Sequence, residues 1–255
     1  MFSHFSQRSY ELEHLDKGDY TPEEYEGCIV ELQRINHYLG DTRALRRTVL
    51  ADVADEGLKS FSLIDVGAGS GELLRTAASW AVDTKCRARF VGLELNARSA
   101  RAILEESEKF PSISAVRADA LQLPFADDCF DYAVCSLMTH HFKDDECVTV
   151  LRELARVARL RLFVIDLHRH PLAFYLYTTV GRLFLHNRLI REDGALSILR
   201  SFRPTELRQL AERAGLVNVE VRRSFPFRLV LSGSKNMRER QVTAALNQAH
   251  EPIVG

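Results

Sequence analysis

The run DVGAGSG, residues 65–71, places an acid and three glycines directly after a short apolar stretch. Glycine adopts backbone angles closed to other residues and carries no side chain. Gly67, Gly69 and Gly71, with Ala68 between them, therefore let the chain turn sharply and approach a ligand closely. Asp65, still on the apolar stretch, could accept a hydrogen bond from a cationic amine above the turn. Two more acids close later apolar runs. Glu94 in FVGLELN can accept both hydroxyls of a ribose, and Asp119 in RADALQLPF can accept from an adenine amino group. CSLMTHHF then brings Ser136 and two histidines, His140 and His141, whose side chains titrate in the range useful for proton transfer. Singly, each has a plain reading: a tight connection, a surface acid, a turn cap, a packing residue. Their order along the chain is the informative part.

The elements that would position them alternate. Strand FSLIDV leads to a helix from about Gly71 to Val82, strand RFVGLEL to a helix from about Ala97 to Glu108, and strand ISAVRA to strand FDYAVCS. A helix from about Asp144 to Val157 and strand RLFVIDL follow. This alternation predicts parallel strands joined by right-handed crossovers, and in such sheets ligands settle beyond the carboxyl ends of the strands. After the helix PTELRQLAERAG come VNVEVRRSF and FRLVLSG, joined only around Pro226, so they must pair antiparallel. The expected fold is α/β, a Rossmann-like doubly wound, mostly parallel seven-stranded sheet ending in an antiparallel hairpin, with an N-terminal helical cap. Residues 1–58 form the expected cap, with Ile29, Leu32, Ile35 and Leu39 at helical spacing before a stop at Gly40. Residues 59–233 form the main domain, with a helical insertion on the substrate side at about 170–203, and 234–255 a polar tail.

With 255 residues, 46% apolar and 27% charged, the chain has the balance of an ordinary globular protein. A formal net charge of -1 argues against a surface built to neutralise many phosphates. Cys28, Cys86, Cys129, Cys135 and Cys147 are spaced neither as a metal knuckle nor as a redox pair, which suits a reducing cytosol. The leader is too acidic for a secretory signal, and no apolar run reaches membrane-spanning length. A cytoplasmic protein without nucleic-acid or membrane partners is expected, as a monomer or homodimer.

The third glycine of the turn arrives one residue too early for the dinucleotide fingerprint GxGxxG. Instead DVGAGSG, the acid of VGLELN, the run DALQLPFADDCFDYAVCS and the closing hairpin resemble the class I S-adenosylmethionine-dependent methyltransferases, over most of residues 61–232. Within that class the chain resembles bacterial small-molecule enzymes related to quinone-biosynthesis methyltransferases. The leader RINHYLGDTRALRRTVL resembles the helical cap of a subgroup associated with phenolic or polyketide-like products. The resemblance implies S-adenosyl-L-methionine as cofactor. Gly67, Ala68, Gly69 and Gly71 would line its methionine portion, Glu94 with Leu95 the ribose, Asp119 and Ala120 the adenine, and Ser136 the region near the sulfonium. It also implies an enzyme that methylates oxygen or carbon of a small aromatic or apolar acceptor, such as a phenol, quinol or polyketide-like molecule.

A sulfonium already activates its methyl group, so positioning is most of the catalysis, and a base would help an acceptor that must lose a proton. His141 is favoured over His140, because members of the family often carry a histidine just before the apolar residue that Phe142 matches. Neighbouring residues are expected to point differently, with at most one facing the acceptor. In IDLHRHP, His168 and His170 with Asp166 could suggest a metal, but HxH on one strand end lacks a third convergent ligand, so no metal is expected, while His168 or Arg169 could line the acceptor pocket. In the insertion, Phe174, Tyr175, Tyr177 and Phe184 could line that pocket or pack a lid, and Arg188, Arg191 and Arg200 could hold an anionic group. Tyr10, His37 and Tyr38 could close the site from the leader. Three rivals differ in their signatures. A nucleic-acid methyltransferase would carry an Asn/Asp-Pro-Pro-aromatic turn where this chain has SLMTHH. A non-catalytic S-adenosylmethionine-binding protein would keep the turn and the acids, and a nicotinamide oxidoreductase would need the other glycine spacing.

Overall fold

A computed structural model describes residues 5–21, 23, 24, 27, 28, 31 and 40–236. Ile29, Leu32, Ile35, His37, Tyr38, Leu39 and the tail from 237 onward lie outside the described residues. Seven strands form one sheet: β1 Ser60–Val66, β2 Arg87–Glu94, β3 Ile113–Arg117, β4 Phe130–Ser136, β5 Ala158–Leu167, β6 Val217–Ser224 and β7 Arg228–Ser234, in the order β3-β2-β1-β4-β5-β7-β6. β1 pairs parallel with both β2 and β4, so the chain reverses its direction of travel across the sheet there. β7 runs antiparallel between β5 and β6. The expected fold class is the observed one.

Burial explains the strands. β1 and β4 each end in a run of four buried residues or nearly so, and β5 buries Leu162 through Asp166, as central strands covered on both faces must. The edge strand β6 alternates between half-buried and exposed positions. One face packs on helices Asp144–Val157 and Pro204–Arg213 through Leu151, Leu154 and Leu207. The other packs on Glu72–Asp83 through Leu74, Ala77 and Ala78, and on Asp41–Arg47 and Val49–Asp55 through Leu45 and Leu50. These apolar positions recur at helical spacing, which commits one side of each helix to the sheet.

Beyond β5 the chain leaves the sheet for helices Pro171–Thr179, Gly181–Phe184 and Arg188–Arg200. The leader is tied across the last of these: Asp193 accepts from the His14 and Leu15 amides at 2.7 and 3.0 Å, and Ser9 N–H donates to the Leu199 carbonyl at 3.0 Å. Two arginines read as acceptor-binding candidates are consumed by this packing. Arg169 is fully buried and donates to the Phe5 carbonyl at 3.2 Å, the Ser201 carbonyl and Glu206. Arg200, also buried, donates to the carbonyls of His140 at 3.2 Å, His141 at 2.7 Å and Glu11 at 2.8 Å. A guanidinium has five donors in a fixed fork, and here they stitch the leader and the insertion to the turn after β4.

Candidate active site

At the carboxyl end of β1 the glycine turn stands beside a cavity of about 1140 Å³. Gly67 N–H and Ala68 N–H both donate to the Leu93 carbonyl, at 2.9 and 3.2 Å, which ties the turn to β2. Gly67 has φ 76°, and a Cβ there would lie 2.5 Å from Met138 Sδ. Gly69 has φ 59°, and a Cβ there would meet nothing within 4 Å. Its N–H donates to Glu94 Oε1 at 2.6 Å, joining the turn to the acid that ends β2. Burial raises the Glu94 carboxyl above the usual carboxylate range, against the pull of the Gly69 and Leu95 amides. Asp65 is buried, its Oδ1 has no hydrogen-bond partner, and burial followed by the charge of Glu94 pushes its carboxyl up to about 8. Asp119 Oδ1 accepts from the Leu121 amide at 2.9 Å, so the turn-cap reading holds while the residue also lines the cavity.

Asp65, Gly67, Ala68, Gly69, Glu94, Leu95, Asp119, Ala120, Ser136, His140 and His141 all line this one cavity. Gly71 does not: it begins the helix Glu72–Asp83 with φ 84°, and a Cβ there would press on Ile103 Cγ2 at 3.2 Å. Its glycine serves helix packing behind the turn.

Across the cavity, Thr139–His141 form a single 3-10 turn. Asp166, buried at the end of β5, accepts from the His140 amide at 3.1 Å, the Leu167 amide at 2.7 Å and the Thr139 hydroxyl, and lies 2.7 Å from His140 Nδ1. Burial alone would raise the Asp166 carboxyl, but His140, Thr139 and Leu167 outweigh it and hold it at about 2. An ionised Asp166 can only accept, so His140 Nδ1–H donates to it and Nε2 is left without the proton. That Nε2 lies 4.0 Å from Glu13 Oε1, and His141 Nε2 lies 4.0 Å from Glu13 Oε2, while His141 Nδ1 faces Asp16 Oδ2 at 3.3 Å. The expectation that only one histidine faces the cavity is corrected: the tight turn stacks the two rings 4.4 Å apart, tilted by 34°, and both reach it.

The other expectations divide. His168 lines the cavity, and burial, followed by the charges of His170 and neighbouring arginines, lowers it to about 4. His170 instead accepts from the Leu172 amide at 3.2 Å as a helix cap, and Asp166 turns to His140, so IDLHRHP assembles no ligand set. Tyr177 and Phe184 line the cavity, whereas Phe174 and Tyr175 pack edge-on against Phe5. Arg188 pairs with Glu24 at 3.0 Å and Arg191 is exposed. Tyr10 is exposed and off the cavity wall. Glu13 and Asp16 were not anticipated, since YELEHLDK reads as an ordinary polar leader. A buried pair, Arg228 Nε to Asp41 Oδ1 at 2.6 Å, also lines the cavity.

Residues 63–160 match the family model described as a methyltransferase domain. The chain is similar to a demethylmenaquinone methyltransferase of Bacillus licheniformis, 26% identical over 64% of this chain and 73% of that one. It is also similar to a demethylmenaquinone methyltransferase of Roseiflexus sp., 30% identical over 60% of each. Among solved structures it resembles a SAM dependent methyltransferase from Aquifex aeolicus, with TM-score 0.57 and 17% identity, covering 84% of this chain and 98% of that one. Residues 63–160 carry a methyltransferase domain, on the fold of that solved S-adenosylmethionine-dependent enzyme. Among the described residues no helix is long and apolar enough to cross a membrane.

Proposed function

We propose that this methyltransferase moves a methyl group to oxygen or carbon of a small aromatic or apolar acceptor of the phenol, quinol or polyketide-like kind. One observation carries the reading: a single cavity is lined by Asp65, Gly69 and Glu94, by His140 and His141, and by the apolar Leu189 and Ile190 with Tyr177. The name demethylmenaquinone methyltransferase, carried by both relatives, supports a quinone-type molecule as one candidate acceptor.

The residues fit the cofactor. Asp65 offers a buried carboxylate oxygen without a partner to a cationic amine, and Gly69 leaves open space where any side chain would stand. Gly67, Ala68 and Gly69 would line the methionine portion and Glu94, with Leu95 at the rim, the ribose. Asp119 and Ala120 would hold the adenine, and Ser136 would lie near the sulfur. The bound cofactor supplies an electrophilic methyl carbon. The methyltransferase's own residues hold the acceptor in line behind that carbon, exclude water with the apolar insertion, and promote loss of the acceptor's proton at His140 and His141. Asp166 acts as a positioning residue that fixes His140.

The test is incubation of the full chain with S-adenosylmethionine and a panel of phenols, quinols and enolisable ketones, read by S-adenosylhomocysteine formation and by product mass. Acceptor-dependent S-adenosylhomocysteine with a gain of one methyl supports the reading. Cofactor binding without turnover on any of the panel contradicts it.

A further inference from the structure

Glu13, His140 and His141 come from the leader and from the turn after β4, yet their free atoms converge. One ligand atom from each lies within 4.8 Å of the others, and all three residues border the cavity. Glu13 is buried at 3% exposure and its carboxylate accepts from the Ser197 hydroxyl at 2.8 Å. A buried carboxylate needs compensation by charge or by donors. Each imidazole is oriented through its second nitrogen by a further carboxylate, His140 by Asp166 at 2.7 Å and His141 by Asp16 at 3.3 Å. Asp16 is in turn held by Arg200 at 3.1 Å. A carboxylate behind each histidine is the arrangement that fixes ring and tautomer in metal sites and strengthens the imidazole as a ligand.

We propose that Glu13, His140 and His141 bind a divalent first-row transition ion of the zinc type, with its remaining positions open to the cavity. Two imidazoles and a carboxylate suit such an ion better than the all-oxygen ligation of magnesium or calcium, and three protein ligands with an open position mark a catalytic rather than a structural site. Bonds of about 2.0–2.2 Å would bring the three atoms to roughly 3–3.5 Å apart, a contraction of up to about 1.3–1.8 Å from their present spacing of within 4.8 Å.

The use of this site rests on the methyl-transfer reading, whereas its existence does not. It specifies the acceptor: a hydroxyl with a second oxygen close by, as in a catechol or an enolised 1,3-diketone, would chelate the ion. Coordination lowers the hydroxyl's pKa, so its proton leaves to water on binding. The oxygen's electron pair then bonds the methyl carbon while the carbon–sulfur pair stays on sulfur. His140 and His141 thus promote proton loss through the ion they hold.

The test uses full-length protein stripped with a chelator and titrated with Co2+, followed by visible absorption and calorimetry. The expected result is one equivalent of Co2+ with ligand-field bands, displaced by Zn2+. Glu13→Gln and His141→Ala should weaken binding at least tenfold, and Asp16→Asn by about 10–100-fold. His168→Ala, which changes a cavity histidine outside the cluster, should bind Co2+ as the parent does. Folding of each variant is checked by its heat of binding to S-adenosylhomocysteine. Absence of Co2+ bands, or equal Co2+ affinity in the parent, Glu13→Gln and His141→Ala, overturns the ion site. Co2+ binding without S-adenosylhomocysteine binding would contradict the cofactor assignment and leave the ion site supported.

Discussion

If the buried Asp65 carboxylate receives the cofactor's ammonium group, binding must be linked to a proton. In the free protein burial and Glu94 hold Asp65 at about 8, so at pH 7 about one molecule in ten has it ionised, since each pKa unit is a factor of ten, or about 1.4 kcal/mol. A complex that requires the ionised form therefore binds about tenfold more weakly at pH 7 than its plateau above pH 8, and loses nearly another factor of ten by pH 6. The assay is calorimetric titration with S-adenosylhomocysteine from pH 6 to 8.5, in two buffers of different ionisation enthalpy. Nearly one proton should be released per ligand at pH 7. Glu94 shares the wall and is also raised by burial, so Asp65→Asn isolates the effect: its affinity should be lower and its pH slope shallower than the parent's. The stability sign is opposite. A carboxyl whose folded pKa is raised contributes stability below about pH 4, and that contribution declines as pH rises toward 8, so Asp65→Asn should raise the melting temperature of the free protein at pH 8. An identical slope in parent and variant, or a flat parent profile, would mean that Asp65 does not receive the amine.

Gly67→Ala and Gly69→Ala should separate stability from binding. Both face a left-handed backbone costing about 1–2 kcal/mol, but only the first also collides with Met138 at 2.5 Å; melting curves should show it as the more destabilised, with the second losing S-adenosylhomocysteine affinity. For Asp166→Asn, the carboxyl held at about 2 stabilises the parent above about pH 4 and ceases to do so as pH falls through 2. The variant should melt lower at pH 7, with a gap that closes on acidification, and its kcat should fall more than its cofactor affinity. Arg169→Met leaves Glu206 and two carbonyls without their guanidinium and should cost about 3 kcal/mol in denaturant unfolding, with little change in S-adenosylhomocysteine affinity.

The glycine-turn side of the cavity was legible because its parts are local. A glycine turn, and an acid at the end of each buried run, are written in consecutive residues, and the sheet places consecutive strand ends side by side. Gly71 read as part of that wall because spacing cannot distinguish a glycine facing a ligand from one facing Ile103. The histidine side was harder, because it is made by contacts between distant segments. His141 and Asp16 are 125 residues apart, and nothing in YELEHLDK marks Glu13 as buried. Arg169 and Arg200 looked like solvated or ligand-binding cations until the carbonyls they satisfy were in place. The two histidines read as alternatives because neighbouring residues generally point differently, whereas the 3-10 turn here stacks their rings 4.4 Å apart.

The most direct measurement is a crystal structure of the full chain grown with S-adenosylhomocysteine. The ligand's amine is expected within about 3 Å of Asp65, its ribose on Glu94, its adenine beside Asp119, and its sulfur facing His140 and His141 across open space. A ligand bound away from the glycine turn, or one whose sulfur faces away from the two histidines, would contradict it.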